Sequence, residues 1–352
     1  MSSATTTYHH HAGLDVNNIR LLSVQFTDLS AIRLVNHLKQ VYELLSSLEQ
    51  TSTVPPVSGL STQLMHKRVF EHRKPEVRTY VAANIAEILR LTVEKQQFDA
   101  KDIQVIFSLF ERVLTGLSDT KATTYQLGVK VINNLIMSQA AALLIEACCG
   151  ATGGGDEDGE QLLSISDEML EPLISYVSAC FNVLNDKHDR TFQSMMLENV
   201  VFILEELDDA GGVPQPVMDV VLSQLIVELR EGQGAVSHII LQDESGTLTK
   251  THGPPKSYKL AQEIIIESAS FMATEVVRFV NSVLNGTDDT QSDVADHIHA
   301  LVYELLLISR LKSSLSDTLL LTIIPTVKDQ LQVKKFFSLF CLIVLNPFER
   351  PF

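Results

Sequence analysis

The best metal-site candidate is the segment SDVADHIHAL, which carries Asp293, Asp296, His297 and His299. A metal centre needs donors that converge on one point, and on a helix His297 and His299 are turned about 200° apart. Asp293 and His297 share a face at i,i+4, so the segment reads as a solvated helical face with one local contact and no metal. His9, His10 and His11 lie in a Ser- and Thr-rich tail with nothing to orient them. The four cysteines, Cys148, Cys149, Cys180 and Cys341, form no CxxC pair and no Cys/His zinc spacing. They read as reduced, buried thiols.

The acid pairs Glu205-Glu206 and Asp208-Asp209 close a helical pattern. General acid–base catalysis needs a pocket that separates two pKa values, and a charged helix end in water supplies none. The glycines of GATGGGDEDGEQ at 150–161 are followed by acids and no Lys, which would repel a nucleotide phosphate. No GxSxG nucleophile elbow occurs, and no dinucleotide fingerprint follows a strand. The sequence thus predicts no enzyme and no cofactor.

Positive charge concentrates in one place: His66-Lys67-Arg68, His72-Arg73-Lys74 and Arg78. This is either a solvated turn between helices or a landing site for an acidic peptide or a phosphate.

These residues must be positioned by a chain of 352 residues that is 45% hydrophobic and 20% charged, enough apolar surface for a large core. Against 27 Lys and Arg stand 43 Asp and Glu, a formal net charge of −16 that argues against direct duplex DNA binding. The N-terminus lacks a basic region followed by an apolar one, so no secretory signal is expected. The longest apolar run, Phe336 to Leu345, is about half of the roughly 20 residues needed to cross a bilayer, so no membrane span is expected.

Apolar residues recur at helical spacing almost throughout, which predicts an all-α fold. Leu34, Leu38, Val41, Leu45 and Leu48 form one stripe, with Asp28 or Ser30 as the N-cap. A second group spans Arg68 to Leu91, its helix opened by Pro75 and its inner face built from Val77, Val81, Ala82, Ile85, Ile88 and Leu89. Ile103–Leu117, Tyr125–Ala147, Glu168–Leu184, Phe192–Leu207 and Val217–Leu229 follow. After a polar stretch at 231–255 come Ser257–Ser270, Phe271–Leu284, Ser292–Ser309 and about Leu315–Leu331.

About eleven or twelve helices arriving in pairs, with a period of roughly 35–45 residues, predict a HEAT-type α-solenoid of stacked antiparallel helix pairs. The expected layout is a disordered tail at 1–27, a solenoid over 28–345 with loop insertions at 150–161 and 231–255, and a tail at 346–352. The cue KPEVRTYVA at 74–82 fits an inner HEAT helix: Ala82 permits close approach, and Arg78 has donors for an adjacent repeat. Arg78 and Arg90 are expected to tie this helix to its neighbours.

Three blocks then become specific together. His72–Phe110, with His72, Val77-Arg78, Val81-Ala82, Ile88 to Leu91, Phe98 and Ile106-Phe107 in register, resembles the N-terminal signature of the precocious-dissociation-of-sisters family. Ser257 to Ala261 through Phe279 to Leu284, and Val302 to Leu305 followed by Leu321 to Pro325, keep that family's order and spacing. The resemblance covers roughly residues 28–330. It implies a nuclear, non-enzymatic HEAT-repeat scaffold that associates with cohesin and regulates sister-chromatid cohesion. The implied partners are the kleisin subunit and short motifs of the wings-apart-like release factor, a sororin-like protector or the SMC acetyltransferase, with chromatin reached only through cohesin. A general HEAT adaptor for transport or phosphatase assembly is the alternative.

The family's Ala-Pro-Asp-Ala-Pro-aromatic segment corresponds here to Val93, Glu94, Lys95, Gln96, Gln97 and Phe98, of which only the aromatic is kept. This connector is the expected partner-binding site, with Phe98 either an exposed contact beside Lys95 or a core anchor. Family members are longer, with their main kleisin-contacting repeats beyond the end of this sequence, and from about Leu331 the pattern departs from the family's. The apolar run from Phe336 to Leu345 would leave an uncovered face on a terminal helix and promote self-association.

Overall fold

The computed structural model describes residues 20–49, 57–93, 97–149, 167–224 and 256–268. These are helical, with no strand among the described residues. The chain divides into two compact units, Met1–Glu206 and Leu207–Phe352.

In the first unit, α1 (Ala31–Ser47) starts after Ser30 and buries Leu34, Leu38, Val41 and Leu45, the expected stripe. Leu48 lies just past its end and is half-buried. Short helices α2 (Ser58–Met65) and α3 (Lys67–Phe70) lead to α4 (Pro75–Leu91). Pro75 holds the first helical position, where its missing N–H costs nothing, and it forces Lys74 into extended backbone. Hence the Arg68–Leu91 group is broken over 71–74, where the His72 imidazole accepts from the Lys74 amide.

Every residue from Val81 to Leu89 is buried, so α4 is covered on all sides. α5 (Ala100–Gly116) is capped by Asp99, whose carboxylate accepts from the Asp102 amide at 2.8 Å, and buries Ile103, Ile106, Phe107, Phe110 and Leu114.

The segment Tyr125–Ala147, expected as one helix, is two: α6 (Tyr125–Met137) and α7 (Ala141–Cys149), bent by 67°. Gln139 takes left-handed backbone at φ 52°. The Ala140 amide then donates to the Leu135 carbonyl and the Gln139 amide to that of Ile136, a Schellman termination built without glycine. α8 (Asp167–Asn182) and α9 (Arg190–Asp209) complete the series, α9 reaching three residues into the second unit.

Hydrogen bonds fix the direction of packing. Asn84 Nδ2 donates to the Leu38 carbonyl, and Arg90 Nη2 to those of Leu45 and Leu48, so α1 and α4 run parallel. The start of α4 shares a cavity with Thr124 and Gly128, and Glu87 near its end bonds Asn134, so α4 and α6 also run parallel. Phe107 meets Tyr176 edge to face at 5.1 Å, while Ser118 and Leu117 accept from Asn185 and pair with His188; α5 and α8 are therefore parallel too. The start of α4 lies beside the end of α5, which makes that pair antiparallel. Layers of parallel helices joined by antiparallel turns are the register of HEAT-type repeats, in which each helix needs its neighbours to bury its faces. α7 packs on α5 and α8.

In the second unit, Gly211 and Gly212 (both φ 122°) end α9, with the Gly212 amide on the Leu207 carbonyl and the Gly211 amide on that of Asp208. α10 (Gln215–Ser223) buries Val217, Met218, Val221 and Leu222, and α11 (Lys256–Glu267) buries Tyr258, Leu260, Ala261, Ile264 and Ile265. The expected helices at 271–284, 292–309 and 315–331, the segment SDVADHIHAL, the His9–His11 tail, the insertion at 150–161, the stretch 231–255 and the apolar run 336–345 lie outside the described residues.

Candidate partner-binding surface

The connector between α4 and α5 starts from a clamped end. Arg90 Nε lies 2.7 Å from Glu87 Oε2, and its Nη2 donates to the carbonyls of Leu45, in the last turn of α1, and of Leu48, just past it. The Glu87 side chain is 4% exposed, and its second oxygen accepts from Asn134 Nδ2 of α6 at 2.7 Å. One ion pair therefore joins three successive helices of a layer. Tyr42 lies close to this pair; its hydroxyl pKa is raised by burial and then by the Glu87 charge, with Arg90 opposing.

Beyond that clamp Val93 is 53% exposed, Gln97 is half-buried and Phe98 is 5% exposed. Burial of the ring makes Phe98 the anchor that returns the connector to the core, and the exposed apolar side chain among the described connector residues is Val93. Glu94, Lys95 and Gln96 lie outside the described residues.

Ala82 is fully buried within the fully covered stretch of α4. Arg78 differs from expectation: Nη1 donates to the carbonyls of His72 and Arg73, which precede its own helix, at 2.9 and 3.0 Å. Pro75 leaves that turn outside the helical ladder, so its carbonyls need a side-chain donor.

His66, Lys67, Arg68, Arg73 and Lys74 are exposed, while His72 and Arg78 are half-buried. The basic cluster is thus a solvated ridge, with Lys67 3.9 Å from Glu71. Glu205, Asp208 and Asp209 are exposed, without the enclosure that acid–base chemistry requires.

Cys148 and Cys180 are in no disulfide and are fully buried; the side chain of Cys149 and all of Cys341 lie outside the described residues. Burial pushes the Cys180 thiol up to about 12, opposed by its hydrogen bond with Asn199. No group of His, Cys, Asp and Glu among the described residues is arranged to hold a metal ion. No single helix among them is long and apolar enough to cross a bilayer.

Stacked HEAT-type helix pairs define the chain's class: a helical-repeat protein. Residues 33–336 match the model of the sister chromatid cohesion protein PDS5 family, and the chain belongs to that family. It is 21% identical over 308 residues to sister chromatid cohesion protein pds5 of Schizosaccharomyces pombe, a match covering 87% of this chain and 23% of the relative. To PDS5 homolog A of Homo sapiens it is 23% identical over 312 residues, covering 88% and 20%. The chain spans about a fifth of the length of these relatives. A solved chain from the Pds5-Scc1 complex shares the fold with a TM-score of 0.64 at 15% identity, over 88% of this chain and 40% of that one.

Proposed function

We propose that this chain is a non-enzymatic scaffold that regulates sister-chromatid cohesion in the nucleus by binding cohesin subunits and short motifs of cohesin-associated proteins. The observation that carries this reading is the match to the PDS5 family along 33–336. The structural neighbour was solved with Scc1, which supports the kleisin subunit as a partner. A HEAT-type stack suits such work, because ridges and grooves between parallel helices receive extended or helical peptides without a catalytic pocket.

The connector 93–98 is the proposed contact for a wings-apart-like, sororin-like or SMC acetyltransferase motif. Val93 supplies the apolar contact, held in place by the Arg90 clamp on one side and the Phe98 anchor on the other. Chromatin association follows through cohesin, since the net charge of −16 opposes direct contact with a phosphate backbone.

The test is a pull-down of purified kleisin and of wings-apart-like peptides by this chain, with α-importin cargo and phosphatase subunits as controls. Retention of kleisin or the peptide is expected. Retention of the control proteins alone would favour the general adaptor.

A further inference from the structure

We infer that the cavity between the start of α4, the end of α5 and the start of α6 is a docking site for a phosphorylated Ser or Thr side chain of a partner peptide.

The cavity has a volume of about 190 Å³, and its lining includes two arginines, Arg78 and Arg112, and no carboxylate. In a chain with a net charge of −16, a concavity lined by two guanidinium groups and no carboxylate stands out in charge from the rest of the chain. The two arginines are held differently. Arg78 is half-buried, and its Nη1 is fixed by the His72 and Arg73 carbonyls. A guanidinium carries five N–H donors, so the remaining ones stay available in a set orientation. Arg112 is exposed and makes no hydrogen bond or ion pair among the described residues, although the chain holds a large excess of acids. A preset guanidinium and a free one together match the two charges and three acceptor oxygens of a phosphate monoester.

Two further features favour a peptide-borne phosphate. Thr124 lines the cavity at the N-cap of the 13-residue α6, and its hydroxyl caps nothing, which leaves a side-chain donor at the wall. The rest of the wall is largely apolar, with Pro75, Leu109 and Val113 offering contact to the carbon stem of a phosphothreonine where a free ion would keep its water. Arg73 and Lys74, both exposed, precede Pro75 directly and extend positive charge from the mouth along the peptide's path.

The experiment uses the full chain and two fluorescent nonapeptide libraries, degenerate except for a central phosphothreonine or threonine, read by anisotropy. Binding of the phosphorylated library alone is expected, with a loss of at least tenfold in Arg112→Glu and a smaller loss in Arg112→Lys. Arg112 is exposed, so its variants should unfold at the wild-type temperature, and circular dichroism verifies this. Equal binding of both libraries, no binding of either, or affinity unchanged by Arg112→Glu would overturn the proposal. Full displacement by inorganic phosphate at concentrations equal to the peptide's would mark a simple anion site and also overturn it. A third library with glutamate at the centre should bind at least tenfold more weakly; equal binding would identify a general acidic-peptide site instead.

Discussion

Glu87 Oε2 and Arg90 Nε lie 2.7 Å apart on adjacent turns of α4, with the carboxylate buried and the guanidinium reaching out to α1. A carboxylate this deep is tolerable only when both oxygens have strong donors, and the second is supplied by Asn134 of α6. The pair thus joins three parallel helices through side-chain hydrogen bonds, beside the Asn84 bond to the Leu38 carbonyl.

Removing Arg90 strands that carboxylate and unpartners two helix-end carbonyls. Arg90→Ala should cost about 3 kcal/mol in urea unfolding, and Asn134→Ala less, because Arg90 still neutralises Glu87. In a double-mutant cycle, Glu87→Gln with Arg90→Ala should lose less than the sum of the single losses. Additive losses would show that the two groups act separately.

Arg78 holds a turn in place without bridging repeats, and its variant should behave accordingly. Arg78→Ala should cost about 1–2 kcal/mol, the scale of its two lost hydrogen bonds to carbonyls. Proteolysis should then cut first within 71–74, as seen by mass spectrometry of early fragments. Early cleavage elsewhere in α4 or α5 would contradict the assignment.

Phe98 and Val93 should separate cleanly. Phe98→Ala empties a core position and should cost about 3–5 kcal/mol in thermal or urea unfolding. Val93→Ser, at a 53% exposed position, should leave stability within about 0.5 kcal/mol and weaken wings-apart-like peptide binding severalfold. Unchanged peptide affinity in Val93→Ser would remove the connector from the binding surface.

The Tyr176, Cys180 and Asn199 group predicts an alkaline limit. Burial raises the Tyr176 hydroxyl, helped by the Cys180 charge and opposed by Asn199, and it raises the Cys180 thiol from an ordinary 9 to about 12. With folded pKa values above unfolded ones, the native state binds more protons over that window, so stability is complete below pH 9 and falls as pH rises toward 12. Cys180→Ala should flatten part of that fall in urea titrations between pH 8 and 11. At pH 8 Cys148 and Cys180 should react with a thiol reagent only after unfolding.

The amphipathic stripes were readable because burial is periodic. Leu34 to Leu45 and Ile103 to Leu114 occupy the faces that their spacing demands. The Pro75 start was equally legible, since proline's chemistry is local. The break at Gln139 was not: Gln carries no turn signature, and its left-handed backbone follows from the way α6 and α7 pack separately. Nor was the partnership of Glu87 with Asn134, 47 positions apart, because nothing local marks which buried acid will meet which amide. The sequence offered Phe98 both as a contact and as an anchor; only the packing of the connector distinguishes them. Of the cavity's two arginines, Arg78 stands in the basic cluster of the sequence, while Arg112 is an isolated charge on α5 that no local pattern marks.

The most direct test of the account is immunoprecipitation of the tagged full chain from nuclear extract, with quantitative mass spectrometry of what it retains. Cohesin's kleisin and SMC subunits should be recovered at levels well above a scrambled-sequence control, and in similar proportions to one another. A precipitate that contains the chain at high yield and cohesin subunits only at control levels would contradict its assignment as a cohesin regulator.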